Sequence, residues 1–447
     1  MNNPLLISQN QGAIMNTICK NITIKENELY FNNFKVTELA KKYGTPLYIM
    51  DENRIRENVN AYKSAFKKYF GDSALMLYAS KACSFKYIYE IMKDEDVGID
   101  LVSSGELYTA KAAGFDLSKS YFHSNNKTDF DIAYGIENGI GYFVADNIEE
   151  VNVIEKVCEK LGKTQKILLR LTPGIDTHTY EADQTGKIDS KFGTAIETGQ
   201  ALTLVGEVLK LSHVKLMGFH CHVGSQVFEE DVYVRTSKIM LKFFADVKEK
   251  YNFETLEYDI GGGFGVRYVD SDPILHLDTK LKELSEYINA ECERLNINVP
   301  AFRMEPGRSI VADAGMTLYT VGTIKKIPGY KNYVSIDGGM ADNPRFALYG
   351  ANYTCMVANK MNEALDFKAD LVGRCCESGD IIQKDIMFPS SVKRYDIVAV
   401  ATTGAYNYSM ASNYNRLPRP AVVMLKDDKD FIVVKAESFE NLIMNDK

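Results

Sequence analysis

The chain has no excess of positive charge. Across 447 residues, 52 Lys and Arg stand against 60 Asp and Glu, a net charge of -8. That leaves no basic footprint for nucleic acid or an anionic membrane surface. A disulfide framework is also missing, because eight cysteines at irregular spacing in so long a chain do not read as bridges. No Cys/His cluster has zinc spacing, and the adjacent Cys375 and Cys376 cannot chelate one ion comfortably. Residues 1–20 lack a basic stretch followed by an apolar core, so no signal peptide is expected. No apolar run is long enough to span a bilayer. There is no internal repeat and no low-complexity tract. A cytoplasmic, reducing location is the resulting expectation, and 45% hydrophobic and 25% charged residues suit ordinary globular domains.

What is present is a rhythm. From about residue 74 to 310, short apolar strands alternate with amphipathic helical stretches. The strands are predicted at Ala74–Ser80, Val97–Ser103, Ser120–Ser124, Gly141–Ala145, Lys166–Leu171, Val214–His222, Leu256–Ile260 and Ala301–Glu305. Helical patterns fall between them, as at Phe85–Lys93, Glu106–Ala113, Asn147–Leu161 and Asp231–Lys250. Eight such units predict an α/β barrel, (β/α)8, over an open doubly wound sheet. The stretch Thr172–Thr203 is long, polar and glycine-containing, and loops of that kind are usually functional. The C-terminal third reads as strands with little helix, at Met316–Ile324, Asn332–Ile336, Phe367–Val372, Asp396–Ala401, Pro420–Leu425 and Phe431–Val434. We therefore expect a barrel over 47–315 and an all-β domain over 316–447, joined by residues 1–46 through a strand near Glu28–Phe34.

Barrel enzymes carry their chemistry at the C-terminal ends of the strands. Four features fall there. Lys81 ends the first strand in Tyr78-Ala79-Ser80-Lys81, where burial favours a neutral, nucleophilic amine. His222 ends the sixth strand, and Gly261, Gly262 and Gly263 follow the seventh. Glu305 ends the eighth in Glu305-Pro306-Gly307-Arg308. Each has a bland reading: a surface lysine, a core histidine, a plain turn, a helix cap. Together they match what pyridoxal 5'-phosphate requires of a protein. It needs an amine for its aldehyde, backbone N–H groups for its phosphate, a flat group against its ring and an acid for its ring nitrogen. Ser225 adds a hydroxyl donor and Arg308 a positive charge.

These segments, with His222-Val223-Gly224-Ser225-Gln226, resemble the alanine-racemase-type (fold type III) pyridoxal-phosphate decarboxylases. That family has a (β/α)8 barrel with a β-domain. The resemblance implies Lys81 as the lysine that carries the cofactor, His222 stacked on its ring and Glu305 paired with its ring nitrogen. Further segments resemble the diaminopimelate decarboxylases within that group. These are His178-Thr179-Tyr180-Glu181 with Thr185-Gly186, Asp189–Gly193, Asp337–Arg345 with Leu348-Tyr349, Cys375–Asp380 and Gly404–Asn415. The chain departs from the family pattern at Phe346, where proline is usual, and at Ser80.

A substrate with two amino acid ends needs a bidentate cation for its distal carboxylate, and Arg308 and Arg345 are the candidates. The candidate for the distal ammonium is Glu377. Tyr349 can donate to the distal carboxylate. By resemblance, Tyr406 meets both phosphate and substrate, Cys376 returns a proton to the carbon that loses carbon dioxide, and Cys376 with Glu377 comes from the partner of a homodimer. From pattern alone Cys375 and Cys376 read as buried structural cysteines. Three other readings compete: a sister decarboxylase acting on ornithine, arginine or carboxynorspermidine; an inactive regulatory homologue; and an aldolase on a bare barrel, which leaves the β-domain motifs unexplained.

Overall fold

The computed structural model describes residues 18–175, 188–229 and 231–447. The His178–Glu181 and Thr185–Gly186 segments therefore lie outside the described residues. The chain divides into two compact units, one of Asn58–Gly265 with Leu275–Gly307, the other of the described part of Met1–Glu57 with Val266–Ile274 and Arg308–Lys447. The expected boundaries at 47 and 315 stand beside these divisions after Glu57 and Gly307.

In the first unit eight parallel strands close on themselves. They are Leu75–Ala79, Gly98–Leu101, Ser120–Phe122, Tyr142–Ala145, Gln165–Thr172, Val214–His220, Glu257–Asp259 and Ala301–Met304. Each pairs with the next, and the eighth returns to the first through Arg303 beside Leu75 and Met304 beside Met76. Several of the strands are buried along their whole length, as expected where helices cover one face and the barrel interior the other. Local signals set the helix ends. Asn147 caps Ile148–Leu161 by accepting from the Glu150 N–H, and Gly162 ends that helix in the left-handed region, its usual place. Thr128 and Asp131 form a reciprocal capping box at Asp129–Glu137. Inside the barrel Leu77, Tyr121, Tyr142, Val144 and Leu168 pack together. Beside them the buried Glu257 accepts from the phenols of Tyr121 at 2.8 Å and Tyr142 at 2.7 Å, and it pairs with Arg303 at 3.2 Å.

The second unit is mostly sheet. Its longest strand, Gly315–Ile327, pairs in its first half with Leu47–Asp51 and Ile397–Ala401, and in its second half with Lys331–Ile336. Leu47–Asp51 also runs parallel to Ala421–Lys426, so this strand belongs to the sheet although the sequence placed it at the start of the barrel. All five of its residues are buried, so no alternation marks it as a sheet strand. The Glu28–Phe34 region forms Glu28–Phe31 and Phe34–Lys35, which hairpin with Ile22–Lys25. Ile22, Leu29 and Phe31 share one apolar cluster with Leu47, Ile49, Leu318 and Val423. Besides Ile22–Lys25 and Leu47–Asp51, two strands of this unit were not anticipated, Cys355–Val357 and Ile381–Pro389. The first is only three residues long, and the second exposes Lys384 and Asp385 at its centre.

Candidate active site

The barrel strands deliver their end residues to one place. Lys81 lies in the single turn Ser80–Ala82 that follows the first strand, between two buried neighbours. Its own side chain is exposed. The sequence expectation of a buried lysine is not met: the one-turn geometry places Lys81 outward while Ser80 anchors inward, its hydroxyl donating to the Asp100 carbonyl at 2.7 Å. The segment after the eighth strand packs on the same turn: Ala79 N–H donates to the Pro306 carbonyl at 3.2 Å, and a β-carbon on Gly307 would lie 2.9 Å from that of Ala79.

The glycine run after the seventh strand has no room for side chains. A β-carbon on Gly262 would stand 2.1 Å from the Glu305 carbonyl oxygen, and Gly261 adopts φ +70, a conformation that favours glycine. The Gly262 N–H donates to His222 Nδ1 at 3.2 Å, which fixes that ring beside the loop. Burial, then the charges of Lys81 and Arg170, hold the His222 imidazole well below its ordinary pKa, so it is neutral. Ser225 lies half-buried in the bend beyond it.

Glu305 is buried, and its surroundings went unread in the sequence. His220 Nε2 lies 3.3 Å from Oε2, and His123 Nε2 lies 2.6 Å from Oε1, close but without hydrogen-bond alignment. Asp100 Oδ1 is 3.7 Å from the same His123 nitrogen. Burial pushes the Glu305 carboxyl up, but His123 and then His220 outweigh it and hold the group well below the carboxylate range. Asp259 is driven well above its ordinary value by burial and then by the Glu305 charge, and Asp100 is raised by burial first. Burial pushes His220 down to about 3, leaving it neutral. A signal for all three missed residues existed: Asp100, His123 and His220 are polar residues in or just after barrel strands, where chemistry concentrates.

In the sheet unit Arg308 and Arg345, both buried, converge on one residue that the sequence reading missed. Arg308 Nη1 donates to the Tyr268 hydroxyl at 2.8 Å, and the Arg345 guanidinium lies 4.7 Å from the centre of the Tyr268 ring. Arg345 Nη1 donates to Tyr353 at 2.8 Å, and Arg308 also lies 4.7 Å over Tyr406. Tyr349 ends the short helix Arg345–Tyr349 and is half-buried. Cys376 and Glu377 are exposed and Cys375 is half-buried, so the buried-cysteine pattern does not describe them. Their loop is pinned by Asp380, which accepts from the Cys375 N–H at 2.6 Å, and by Asn415, which accepts from the Cys376 N–H at 2.7 Å. Burial and the neighbouring Asp380 raise the Cys375 thiol to about 11.

The barrel residues fit pyridoxal phosphate. The glycine loop carries no side chain that would bar a phosphate, although the Gly261 and Gly262 N–H groups already donate to Asp259 and His222, and Glu305 Oε1 is a buried acceptor with no hydrogen-bond partner among the described residues. Lys81, His222, the Gly261–Gly263 loop and Glu305 are the residues that would hold it. The chain belongs to the pyridoxal-dependent decarboxylases: residues 52–312 match the family described as "Pyridoxal-dependent decarboxylase, pyridoxal binding domain". Within them it belongs to the diaminopimelate decarboxylase family. It is 44% identical over 431 residues to the diaminopimelate decarboxylase of Staphylococcus aureus, covering 95% of this chain and 100% of that one. It is 43% identical to that of Bacillus subtilis, covering 91% and 92%. Among solved structures it resembles the diaminopimelate decarboxylase of M. jannaschii, determined with L-lysine, at 32% identity and a TM-score of 0.88, covering 96% of this chain and 98% of that one.

Proposed function

We propose that this chain decarboxylates meso-2,6-diaminopimelate to L-lysine and carbon dioxide with pyridoxal 5'-phosphate, as a cytoplasmic homodimer. Family membership supports the reaction class. The choice of substrate rests on the Arg308–Tyr268–Arg345 stack. Two buried guanidiniums on one phenol form a receptor for a second carboxylate, which ornithine and arginine do not have.

Bound pyridoxal phosphate supplies the electron sink for the carbanion left when carbon dioxide departs. The protein does the rest. Lys81 is the amine that would hold the cofactor by its aldehyde, and His222 the ring that would lie against it. The Gly261–Gly263 backbone, with Ser225, Pro306, Gly307 and Tyr406, holds the phosphate side. Glu305, as a carboxylate, would accept from the protonated ring nitrogen and keep that proton in place. Arg308, Arg345 and Tyr349 bind the distal carboxylate, and Glu377 binds the distal ammonium. Cys376 donates a proton to the carbon that lost its carboxylate, so one C–C bond is exchanged for one C–H bond. The partner subunit contributes the thiol and Glu377, a reading supported by the exposure of both side chains in this chain. No described helix is long and apolar enough to cross a membrane, which suits this location.

The test is lysine formation by the purified full-length protein from meso-diaminopimelate, with and without pyridoxal phosphate, beside ornithine and arginine. Cofactor-dependent lysine with no product from the other two supports the proposal. Turnover of ornithine or arginine in preference to diaminopimelate overturns the substrate.

A further inference from the structure

We infer that His123 is a positioning residue that fixes Glu305 for the cofactor's ring nitrogen, with Asp100 beside the same His123 nitrogen. The inference rests on the reading that Glu305 faces that nitrogen. Its ground is the geometry of one buried cluster. The two oxygens of Glu305 are addressed by different imidazoles, Oε2 by His220 at 3.3 Å and Oε1 by His123 at 2.6 Å. The rings stand edge to face, 4.9 Å apart at 70°. A carboxylate flanked this closely by an imidazole at each oxygen has little room to turn about its last bond, so its lone pairs keep a fixed direction. Asp100 Oδ1, 3.7 Å from the same His123 nitrogen, adds a third side chain to the group. Every member is at most 5% exposed, so water is not at hand to take over these contacts.

The same atoms of His123, His220 and Glu305 lie within 4.8 Å of one another, a spacing also compatible with a bound metal ion. The 2.6 Å separation between His123 and Glu305 argues against that use. Two ligands about 2.05 Å from one zinc ion would then subtend roughly 80°, far from tetrahedral. The separation instead suits a direct nitrogen–oxygen contact.

The experiment reconstitutes full-length wild type, His123→Phe, His123→Gln, Asp100→Asn and Glu305→Gln with pyridoxal phosphate labelled with 15N at the ring nitrogen. The ring 15N shift and the cofactor dissociation constant are read for each. Wild type is expected to show a protonated ring nitrogen, and Glu305→Gln a neutral one. His123→Phe should move the shift towards the neutral form and weaken cofactor binding about tenfold. His123→Gln, which keeps a donor, should recover most of both losses, and Asp100→Asn should shift the same way by less. A loss of packing alone would lower melting temperature in His123→Phe without moving the 15N shift. If His123→Phe does not fold, His123→Leu takes its place. A protonated ring and affinity within about twofold of wild type in the folded apolar variant overturn the inference while leaving the function intact. A wild-type chain that binds no cofactor overturns both.

Discussion

Glu257 and Glu305 are each 5% exposed and each belongs to the barrel, one at the start of the seventh strand and one just past the end of the eighth. Around Glu257 both oxygens are met: one phenol donates to each, and the Arg303 guanidinium lies 3.2 Å from Oε2 while donating to the Tyr121 hydroxyl. Both phenols are pushed far up by burial, and the Glu257 carboxylate adds to this, so they remain donors. Around Glu305 the company is two imidazoles and two carboxyls, with one of its own oxygens, Asp100 Oδ1 and Asp259 Oδ2 left without hydrogen-bond partners. A buried carboxylate with both oxygens met by donors is tied into the fold. One ringed by titratable groups with orphaned atoms is arranged for a ligand.

Separating activity from stability breaks the comparison most directly. Glu305→Ala should lower lysine formation by about 10²–10³-fold while the urea midpoint changes little. Glu257→Ala should do the reverse, costing about 3–5 kcal/mol because Arg303 is left buried and unpaired, with activity per folded molecule unchanged. Activity loss without destabilisation in Glu257→Ala would collapse the distinction.

The acid limb of the stability curve sharpens it. Because burial lowers His220 to about 3, its contribution is complete above its unfolded pKa near 6.5 and is lost as pH falls from there towards 3. For the cofactor-free chain that amounts to about 2 kcal/mol by pH 5. His220→Asn should flatten this limb in urea titrations between pH 6.5 and 5. An unchanged slope would mean that His220 takes up a proton in the folded chain as readily as in the unfolded one.

Gly262→Ala tests whether the Glu305 end is shaped by backbone. The added carbon, 2.1 Å from the Glu305 carbonyl, must displace that strand end, at about 1.4 kcal/mol or more. Cofactor affinity, followed by fluorescence titration, should fall about tenfold. The smallest effect belongs to Tyr142→Phe, which removes one of the two phenols on Glu257: about 1 kcal/mol of stability by urea unfolding and no change in lysine formation.

The eight barrel strands were legible because alternation of strand and helix is written locally, and with them the strand-end positions of Lys81, the glycine run and Glu305. The sequence did not show how those ends meet. His220 and Glu305 touch across 85 residues of chain, and His123 joins them from the third strand, a closeness created only by closing the barrel. His220 lay within the predicted strand Val214–His222 with no local mark of a role of its own. Tyr268 was hidden for the same reason: its ring and hydroxyl serve two arginines that are far along the chain. Leu47–Asp51 was misplaced because a strand buried on both faces carries no periodic mark of the layer it joins.

The bare glycine run carries a consequence at the level of codons. Every single-base change in a glycine codon that alters the amino acid supplies a β-carbon, and at Gly262 that carbon meets the backbone of the neighbouring strand end rather than a side chain that could swing aside. Drift therefore has no gentle first step at this position. A designer seeking to re-tailor the protein for another cofactor would find room for change in the residues around the loop, and none within it.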